Sequence, residues 1–158
     1  MKTLQLSDEK ALFLYKDANS DLKTILEESF GKDFFKPKCI MDRVKTFKDA
    51  LIIKGETISE FKHRTQFDEP HIVAQKKLEI IISVINEDWV AEATDHSQYK
   101  YYPWFNLPSV EGSRFSYYDY RFQYTITTVG LRLCTKNGTL CKYVAEQFLD
   151  LYEVMLLK

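Results

Sequence analysis

The chain has 158 residues, and its 22 basic residues against 23 acidic ones leave a formal net charge of −1. A free-standing nucleic-acid-binding domain usually has a clear basic excess, so this balance disfavours that class. Hydrophobic residues make up 45% of the chain, with only five Gly and four Pro, which argues against fibrous and disordered classes. The length predicts a single domain over residues 1–158 with a core of its own.

Cysteine usage and the N-terminal segment bear on location. Cys39, Cys134 and Cys141 are odd in number and widely spaced, which is not the pattern of a disulfide framework. Residues 1–20 carry charges every few positions and lack the apolar segment of a secretory signal. The longest apolar run, around Ile80–Ile85, is far shorter than the ~20 residues that span a bilayer. We therefore expect a cytoplasmic protein with no membrane association.

Capping residues predict two helices at the start of the chain. Ser7 is suited to cap a first helix, and Asn19 or Ser20 a second one. Gly31 stands where a glycine commonly ends a helix. Lys36-Pro-Lys38 then interrupts the helical pattern.

A capping box and a long apolar stripe predict two further helices. Thr46-Phe-Lys-Asp49 is the capping box, and it predicts a third helix from Phe47 to Lys54. Glu56 to Phe67 is expected to be mostly loop. Asp68 can cap a fourth, central helix with Pro70 in its first turn. The apolar stripe of this helix consists of Ala74, Leu78, Ile81, Ile82 and Ile85.

The second half of the chain changes its period. Asp88 to Gly112 has no helical period and is predicted to be a long loop. From Arg114 the period becomes two, which predicts a strand. Phe115 and Tyr117 are out of phase with it, which predicts a bulge or turn near Tyr117–Asp119. One face of the strand carries Tyr118, Tyr120, Phe122, Tyr124 and Ile126, and the other carries Asp119, Arg121, Gln123, Thr125 and Thr127.

The last elements predict the fold class. Gly130 separates the strand from a second short strand, Leu131 to Thr135, and Thr139 can cap a single last helix. This order predicts an α+β fold, in which N-terminal helices and a central helix pack on a small antiparallel sheet closed by a C-terminal helix.

Motifs for catalysis are missing from the sequence. It has no phosphate-binding Gly-rich loop, no zinc-protease motif and no nucleophile elbow. His63, His71 and His96 are not at metal-ligand spacing, and histidines in that arrangement are more often surface or capped residues. Cys134 and Cys141 have no paired base nearby and are expected to be packing residues. We predict a non-enzymatic protein with no cofactor and no metal.

Aromatic residues are concentrated in one region. Eleven of the 23 aromatic residues lie between Tyr99 and Tyr124. They form either a stacking platform for single-stranded nucleic acid, with Arg114 and Arg121 meeting phosphates, or part of the core. The phase of the strand favours the core, because the Tyr118–Ile126 face is the only apolar face it has to bury. The segment Tyr99 to Phe105 lies in the predicted loop, and its Tyr and Trp fit a protein interface and a packing role equally well.

Several stretches carry a resemblance to a known family. They are Asp42–Ala50, Asn86–Trp89, Gln98–Phe105, Gly130–Cys134 and Glu146–Tyr152, together with the opening Leu4 to Phe35. Tyr-Tyr-Pro-Trp-Phe at 101–105 is the specific part. On these residues the chain resembles a family of short uncharacterised phage and prophage proteins from mobile elements of Bacteroidetes. The resemblance implies a mobile-element protein in a bacterial cytoplasm, and it brings no activity and no catalytic residues.

The leading hypothesis is a protein that binds a host or phage protein and inhibits a host nuclease-based defence such as a CRISPR effector. It rests on the resemblance, on the missing catalytic motifs and on the predicted aromatic loop. Its candidate binding residues are Tyr101, Tyr102, Trp104 and Phe105.

Two other hypotheses remain open. One is a single-stranded nucleic-acid-binding module used in phage replication, which rests on the aromatic cluster and the basic run Lys32–Lys48. Its candidate residues are Arg114, Arg121, Lys36, Lys38, Arg43 and Lys45. The other, ranked last, is an enzyme whose acid–base groups come from Glu92, Asp95 and His96.

Overall fold

The computed structural model describes residues 6–35, 39–108, 113–123 and 130–158. The chain folds into two compact units, Met1–Lys38 and Cys39–Lys158, and the single-domain expectation stays a prediction. Within the described ranges there are eight α-helices and one two-stranded antiparallel sheet, which confirms the α+β class. None of the helices in these ranges has the length and apolar character needed to cross a bilayer.

The first unit contains two helices and one 3₁₀ turn. Helix α1 spans Asp8–Asp17, α2 spans Ser20–Phe30, and the 3₁₀ turn spans Lys32–Phe35. Ser7 and Asn19 cap the two helices, as predicted, because their side-chain oxygens accept backbone N–H groups that have no partner within the helix. The aromatic rings packed together here are Tyr15, Phe30, Phe34 and Phe35.

The second unit begins with four helices. They are α3 (Ile40–Arg43), α4 (Phe47–Lys54), α5 (Ile58–Arg64) and α6 (Pro70–Ile85). The capping box predicted for α4 is formed, since the Asp49 carboxylate accepts the Thr46 N–H at 2.7 Å and the Thr46 hydroxyl accepts the Asp49 N–H at 3.3 Å. The predicted bounds of this helix are confirmed.

Two predictions between α4 and α6 are wrong. The segment from Glu56 to Phe67 is not mostly loop, because a second capping box, in which the Glu60 carboxylate accepts the Thr57 N–H at 2.8 Å, begins α5. Asp68 does not cap α6, whose N-cap residue is Glu69 with Pro at the first helical position. Asp68 instead accepts a hydrogen bond from Lys76 Nζ at 2.6 Å.

Helix α6 is the centre of the core. It packs mainly against α4 and a C-terminal helix, α8 (Leu149–Leu157). The predicted stripe is confirmed, and Val84 joins it in the core. The buried residues of α6 are Ala74, Leu78, Ile81, Ile82, Val84 and Ile85.

The sheet has a strand where a long loop is predicted. Strand β1 spans Lys100–Asn106 and pairs with β2, Ser116–Gln123. The register shifts between Trp104 and Phe105, which face Asp119 and Tyr117 respectively, so that Tyr118 is the extra residue. This confirms the predicted bulge. The predicted continuation of the strand through residues 124–127 lies outside the described residues.

The C-terminal part differs from its prediction in two ways. Leu131 to Thr135 is not a strand but a 3₁₀ turn, Leu131–Leu133, followed by a single bridge between Thr135 and Tyr101. The last helix is two helices, α7 (Gly138–Gln147) and α8, which meet at Phe148.

The start of α7 also differs, because its cap is Asn137 and not Thr139. Asn137 Oδ1 accepts the Leu140 N–H at 2.9 Å. Gly138 begins the helix where the Tyr120 ring approaches closely, since a Cβ built on Gly138 would lie 2.5 Å from Tyr120 Cζ. The Tyr120 ring therefore packs on the first turn of α7, and a side chain at position 138 would require that ring to move.

Candidate functional site

Strand β1 carries all four residues predicted to bind a protein partner. It lies between β2 on one edge and the Thr135 bridge on the other. Because successive side chains of a strand point to opposite faces, Tyr102 and Trp104 lie on one face and Tyr101 and Phe105 on the other. The structure thus divides the predicted site into two pairs.

Phe105 packs against the core. Its ring stacks on Phe115 with 4.9 Å between centroids and lies 4.7 Å from the Tyr152 ring of α8. Phe105 is partly buried by these contacts, and its role as a partner-binding residue stays a prediction. Side chains alternate between the two faces of a strand, and this directs the Phe105 ring toward the core. The predicted loop would not have imposed that direction.

Tyr101 joins parts of the sheet. Its backbone N–H and C=O both bond to Thr135, at 3.1 and 3.0 Å. Its half-buried ring contacts Tyr120 at 5.6 Å and Phe122 at 5.7 Å. Its backbone groups and its ring are consequently already engaged by other parts of the protein.

Tyr102 and Trp104 differ strongly in exposure. The Tyr102 ring lies against Gly130, and burial, with the Cys134 thiol next to it, raises the pKa of its hydroxyl to about 12. Trp104 is 54% exposed. An indole with half of its surface in water is the most accessible large side chain among the four predicted residues.

Two charged residues of β2 share the face of Trp104. Asp119 faces Trp104 across the ladder, and the Arg121 guanidinium lies 5.7 Å above the indole ring. Arg121 Nη1 pairs with Asp119 Oδ2 at 2.7 Å. The Tyr120 backbone N–H, and then Arg121, hold the pKa of the Asp119 carboxyl below its usual range. We refer to Tyr102, Trp104, Asp119 and Arg121 as the Trp104 surface.

The apolar face predicted for β2 is not simply core. Tyr118 is 62% exposed and Phe122 is 52% exposed, so the prediction of their burial is wrong. The bulge explains Tyr118, because an extra residue is displaced from the alternation of the strand. Tyr117, out of phase in the sequence, is half-buried instead and contacts the Phe105 ring.

The candidate nucleic-acid residues do not form one cluster that the structure describes. Lys36 and Lys38 lie outside the described residues. Arg43 ends α3, and Lys45 pairs with Asp42 at 3.7 Å while lying over the Tyr143 ring at 5.4 Å. Arg114 is exposed just before β2.

The candidate enzyme residues lie in the segment before β1. Asp95 accepts hydrogen bonds from the hydroxyl and backbone N–H of Ser97, and these bonds lower the pKa of its carboxyl. Glu92 and His96 are exposed and line neither of the cavities found in the second unit.

Two side chains hold this segment together, and the sequence signals neither. Lys100 is 1% exposed, and its Nζ donates to the carbonyl oxygens of Asp95 and Gln98, both at 3.1 Å. The Gln98 side chain accepts the Glu92 N–H and donates to the Val90 carbonyl, both at 2.8 Å. A lysine at the start of an aromatic stretch looks like a surface residue, and only its burial identifies its role.

Cysteines and histidines show no assembled site within the described ranges. No group of three or more metal-ligating side chains there is placed to hold an ion. Cys134 and Cys141 are buried, as predicted for packing residues, and burial raises the pKa of both thiols, to about 12 for Cys141. Cys39 is exposed and donates to Asp42 at 3.0 Å.

Comparison with known proteins adds no assignment to this geometry. No protein-family model matches the chain. Neither the curated proteins nor the solved structures contain a match. The function of the surface therefore has to be inferred from its chemistry.

Proposed function

We propose that this protein acts by binding another protein, and that the contact is made by the Trp104 surface. The observation that carries the proposal is the half-exposed indole of Trp104 on a strand that pairs with β2 along its length and with Thr135 at Tyr101. A side chain on such a strand is held in place before binding, so less conformational entropy is lost when a partner covers it.

The composition of the surface supports protein binding over catalysis. Trp, Tyr and Arg are the residue types most enriched at the energetic centres of protein interfaces. The Arg121–Asp119 pair beside the indole adds one charge of each sign, which favours a partner with complementary polar groups around an apolar pocket. The lowered pKa of the Asp119 carboxyl makes it a poor general base.

The resemblance to mobile-element proteins directs the choice of partner. Phage and mobile-element proteins without catalytic motifs can act on a host by binding and blocking its proteins. We propose a host or phage protein as the partner, in the bacterial cytoplasm, and inhibition of a nuclease-based defence such as a CRISPR effector as the outcome.

A capture experiment tests the proposal. Tagged wild-type protein, Trp104→Ala and Phe122→Ala are each incubated with nuclease-treated lysate of a Bacteroidetes host, and bound proteins are identified by mass spectrometry. Phe122→Ala is the matched control because it removes a ring of similar exposure from the opposite face of the hairpin. We expect a partner retained by wild type and by Phe122→Ala and lost with Trp104→Ala, at least about a tenfold drop in affinity.

Circular dichroism spectra of the three proteins complete the test. Trp104 is half exposed, so its truncation should leave the fold intact. Equal loss of capture with both variants, or an unfolded Trp104→Ala, would contradict the assignment of this surface.

Single-stranded nucleic-acid binding is the second candidate, and one contact favours it. A guanidinium above an exposed indole, as in Arg121 over Trp104, is the arrangement of a base-stacking and phosphate-binding surface. The Asp119 carboxylate weighs against it, since it neutralises Arg121 at 2.7 Å. An oligothymidylate titration at low and high salt decides, because this candidate requires an affinity that falls steeply as salt is added.

A further inference from the structure

A cavity separate from the Trp104 surface lies beside α6. It has a volume of about 740 Å³, within the range of pockets that hold small ligands. Its walls are the C-terminal half of α6, the last residues of α4 and α5, residues 89–91 and the second 3₁₀ turn. Sequence patterns do not indicate it, because these segments are far apart in the chain.

Positive charge predominates among the residues that line the cavity. Its lining holds four cationic side chains, Lys54, Arg64, Lys76 and Arg132, and two carboxylates, Glu79 and Glu87. The lining has two more cations than carboxylates, but Arg64 and Lys76 are neutralised by Glu56 and Asp68 from outside the lining. An anion would therefore be held by Lys54 and Arg132.

Not all of these cations are equally available. Arg64 is held by Glu56 at 2.7 Å, and Lys76 by Asp68 at 2.6 Å. Arg132 forms a long ion pair with Glu79, 3.8 Å, and its side chain is 83% exposed, so its N–H groups can turn to a ligand. Lys54 has no ion-pair partner among the described residues.

Apolar side chains also line the cavity. They are Trp89 and Val90 from the segment after α6, Ile80 of α6 and Leu131 of the second 3₁₀ turn. An indole is a surface on which a flat aromatic ring stacks without sequence or substituent preference. The cavity thus combines anion-binding groups with a site for a planar ring.

The walls are joined by buried hydrogen bonds. Asn86 is 5% exposed, and its side chain donates to the Cys134 carbonyl at 2.9 Å and accepts the Lys136 N–H at 3.0 Å. These bonds tie the end of α6, just before Trp89, to the segment that carries Arg132. The backbone segments that carry Trp89 and Arg132 are consequently held together before any ligand arrives.

We propose that this cavity binds a small ligand that carries both a phosphate group and a flat aromatic ring, of the nucleoside monophosphate class. Lys54 and Arg132 bind the phosphate, and Trp89 stacks on the ring. An arginine fork suits the oxygen geometry of a phosphate group. This role is independent of the protein contact proposed for the Trp104 surface.

Tryptophan fluorescence offers a direct measurement. The chain has two tryptophans, so Trp104→Phe leaves Trp89 as the only indole and makes its emission report on the cavity. The probes are AMP and GMP, with adenosine and inorganic phosphate as their separate halves. We expect saturable quenching by a monophosphate, and at least about tenfold weaker binding of either half. Calorimetry on the wild-type chain measures the same affinities without relying on tryptophan fluorescence.

Charge variants test the phosphate contact. Arg132→Gln and Lys54→Gln should each weaken AMP binding by roughly tenfold. Lys142→Gln is the matched control, because Lys142 is an exposed cation of α7, 3.8 Å from Glu146, that does not line the cavity. It should bind AMP as wild type does, and circular dichroism checks that all three variants are folded.

The outcomes that overturn the proposal are equally direct. The absence of a saturable signal with AMP and with GMP up to about 1 mM would rule out nucleoside monophosphates as ligands. Inorganic phosphate binding as tightly as AMP would remove the stacking role of Trp89. If folded Arg132→Gln and Lys54→Gln bind AMP as tightly as wild type does, these two residues do not contact the phosphate. Loss of partner capture with Trp104→Ala has no bearing on these results, so the two proposals fail separately.

Discussion

Single residues decide how the chain leaves α6. The buried Asn86 side chain takes up two backbone groups from the segment 134–136, and the next residue, Glu87, has a φ of 54°. This left-handed conformation strains any residue that has a Cβ. The turn that places Trp89 at the cavity is thus held by tertiary hydrogen bonds against a local preference.

The strain at Glu87 leads to a prediction with an internal control. Glu87→Gly and Glu87→Ala both remove the exposed ion pair with Lys136, 3.0 Å, so that loss cancels between them. The glycine variant should be more stable than the alanine variant by about 1 kcal/mol, because only alanine retains the strain. Urea unfolding of the two variants measures the difference. A more stable alanine variant would show that the residue is not held at positive φ.

At the scale of elements, local signals account for the helices that are predicted correctly. The caps at Ser7, Asn19 and Thr46 involve residues within four positions of each other, so the sequence contains the whole interaction. Helix α5 has the same signal in Thr57 and Glu60, and its assignment to a loop overlooked it. This error was avoidable from the sequence.

Strand β1 and the turn after Gly130 could not be predicted in the same way. Polar and apolar residues do not alternate along Lys100–Asn106. Both faces of this strand are partly covered, since Tyr101 and Tyr102 lie on opposite faces and are both half-buried. Leu131–Leu133 alternates like a strand but forms a 3₁₀ turn, in which the Leu133 N–H donates to the Gly130 carbonyl at 2.7 Å. Periods over three residues do not distinguish these structures.

The capping box of α4 predicts a pH-dependent stability. Thr46→Ala should cost about 1 kcal/mol at neutral pH, because it removes the hydroxyl that caps the helix and bonds Asp49. The Thr46 hydroxyl is the main cause of the lowered pKa of the Asp49 carboxyl. A lowered folded-state pKa contributes stability above the unfolded value, about 4, and this contribution is lost as the pH falls further. The difference between variant and wild type should therefore shrink below about pH 4.

Thr46→Ser is the matched control, since it retains the hydroxyl. Thermal unfolding followed by circular dichroism between neutral and acid pH gives the comparison. A cost of Thr46→Ala that stays constant as the pH falls would show that the Asp49 carboxylate takes no part in the cap.

At the scale of the whole molecule, buried ionisable groups predict sensitivity to alkali. Burial raises the pKa of Tyr102, Tyr117 and Cys141 to about 12, and it raises that of Tyr152 as well. A raised folded-state pKa contributes stability that is complete below the unfolded value, about 10 for Tyr, and is lost as the pH rises through the folded value. The free energy of unfolding should therefore begin to decrease near pH 9, where the Cys141 thiol ionises in the unfolded chain, and decrease more steeply from about pH 10 towards 12.

Tyrosinate absorbance and circular dichroism, recorded together, test this expectation. The buried tyrosines should ionise only as the helices unfold, and Tyr117→Phe should make the decline shallower because it removes one ionising group. Complete ionisation of all the tyrosines before any loss of helical signal would show that they are not buried as described.

The sequence by itself determined the α+β class, the caps of α1, α2 and α4, the buried stripe of α6 and the bulge near Tyr117–Asp119. Each depends on residues that are neighbours in the chain, and local hydrogen bonding and side-chain period act at that range. Only the tertiary structure decided that Trp104 is half exposed while Phe105 packs against the core, that Lys100 is covered, and that Arg132 and Trp89 line one cavity. These features come from contacts between segments far apart in sequence, whose burial depends on what packs against them.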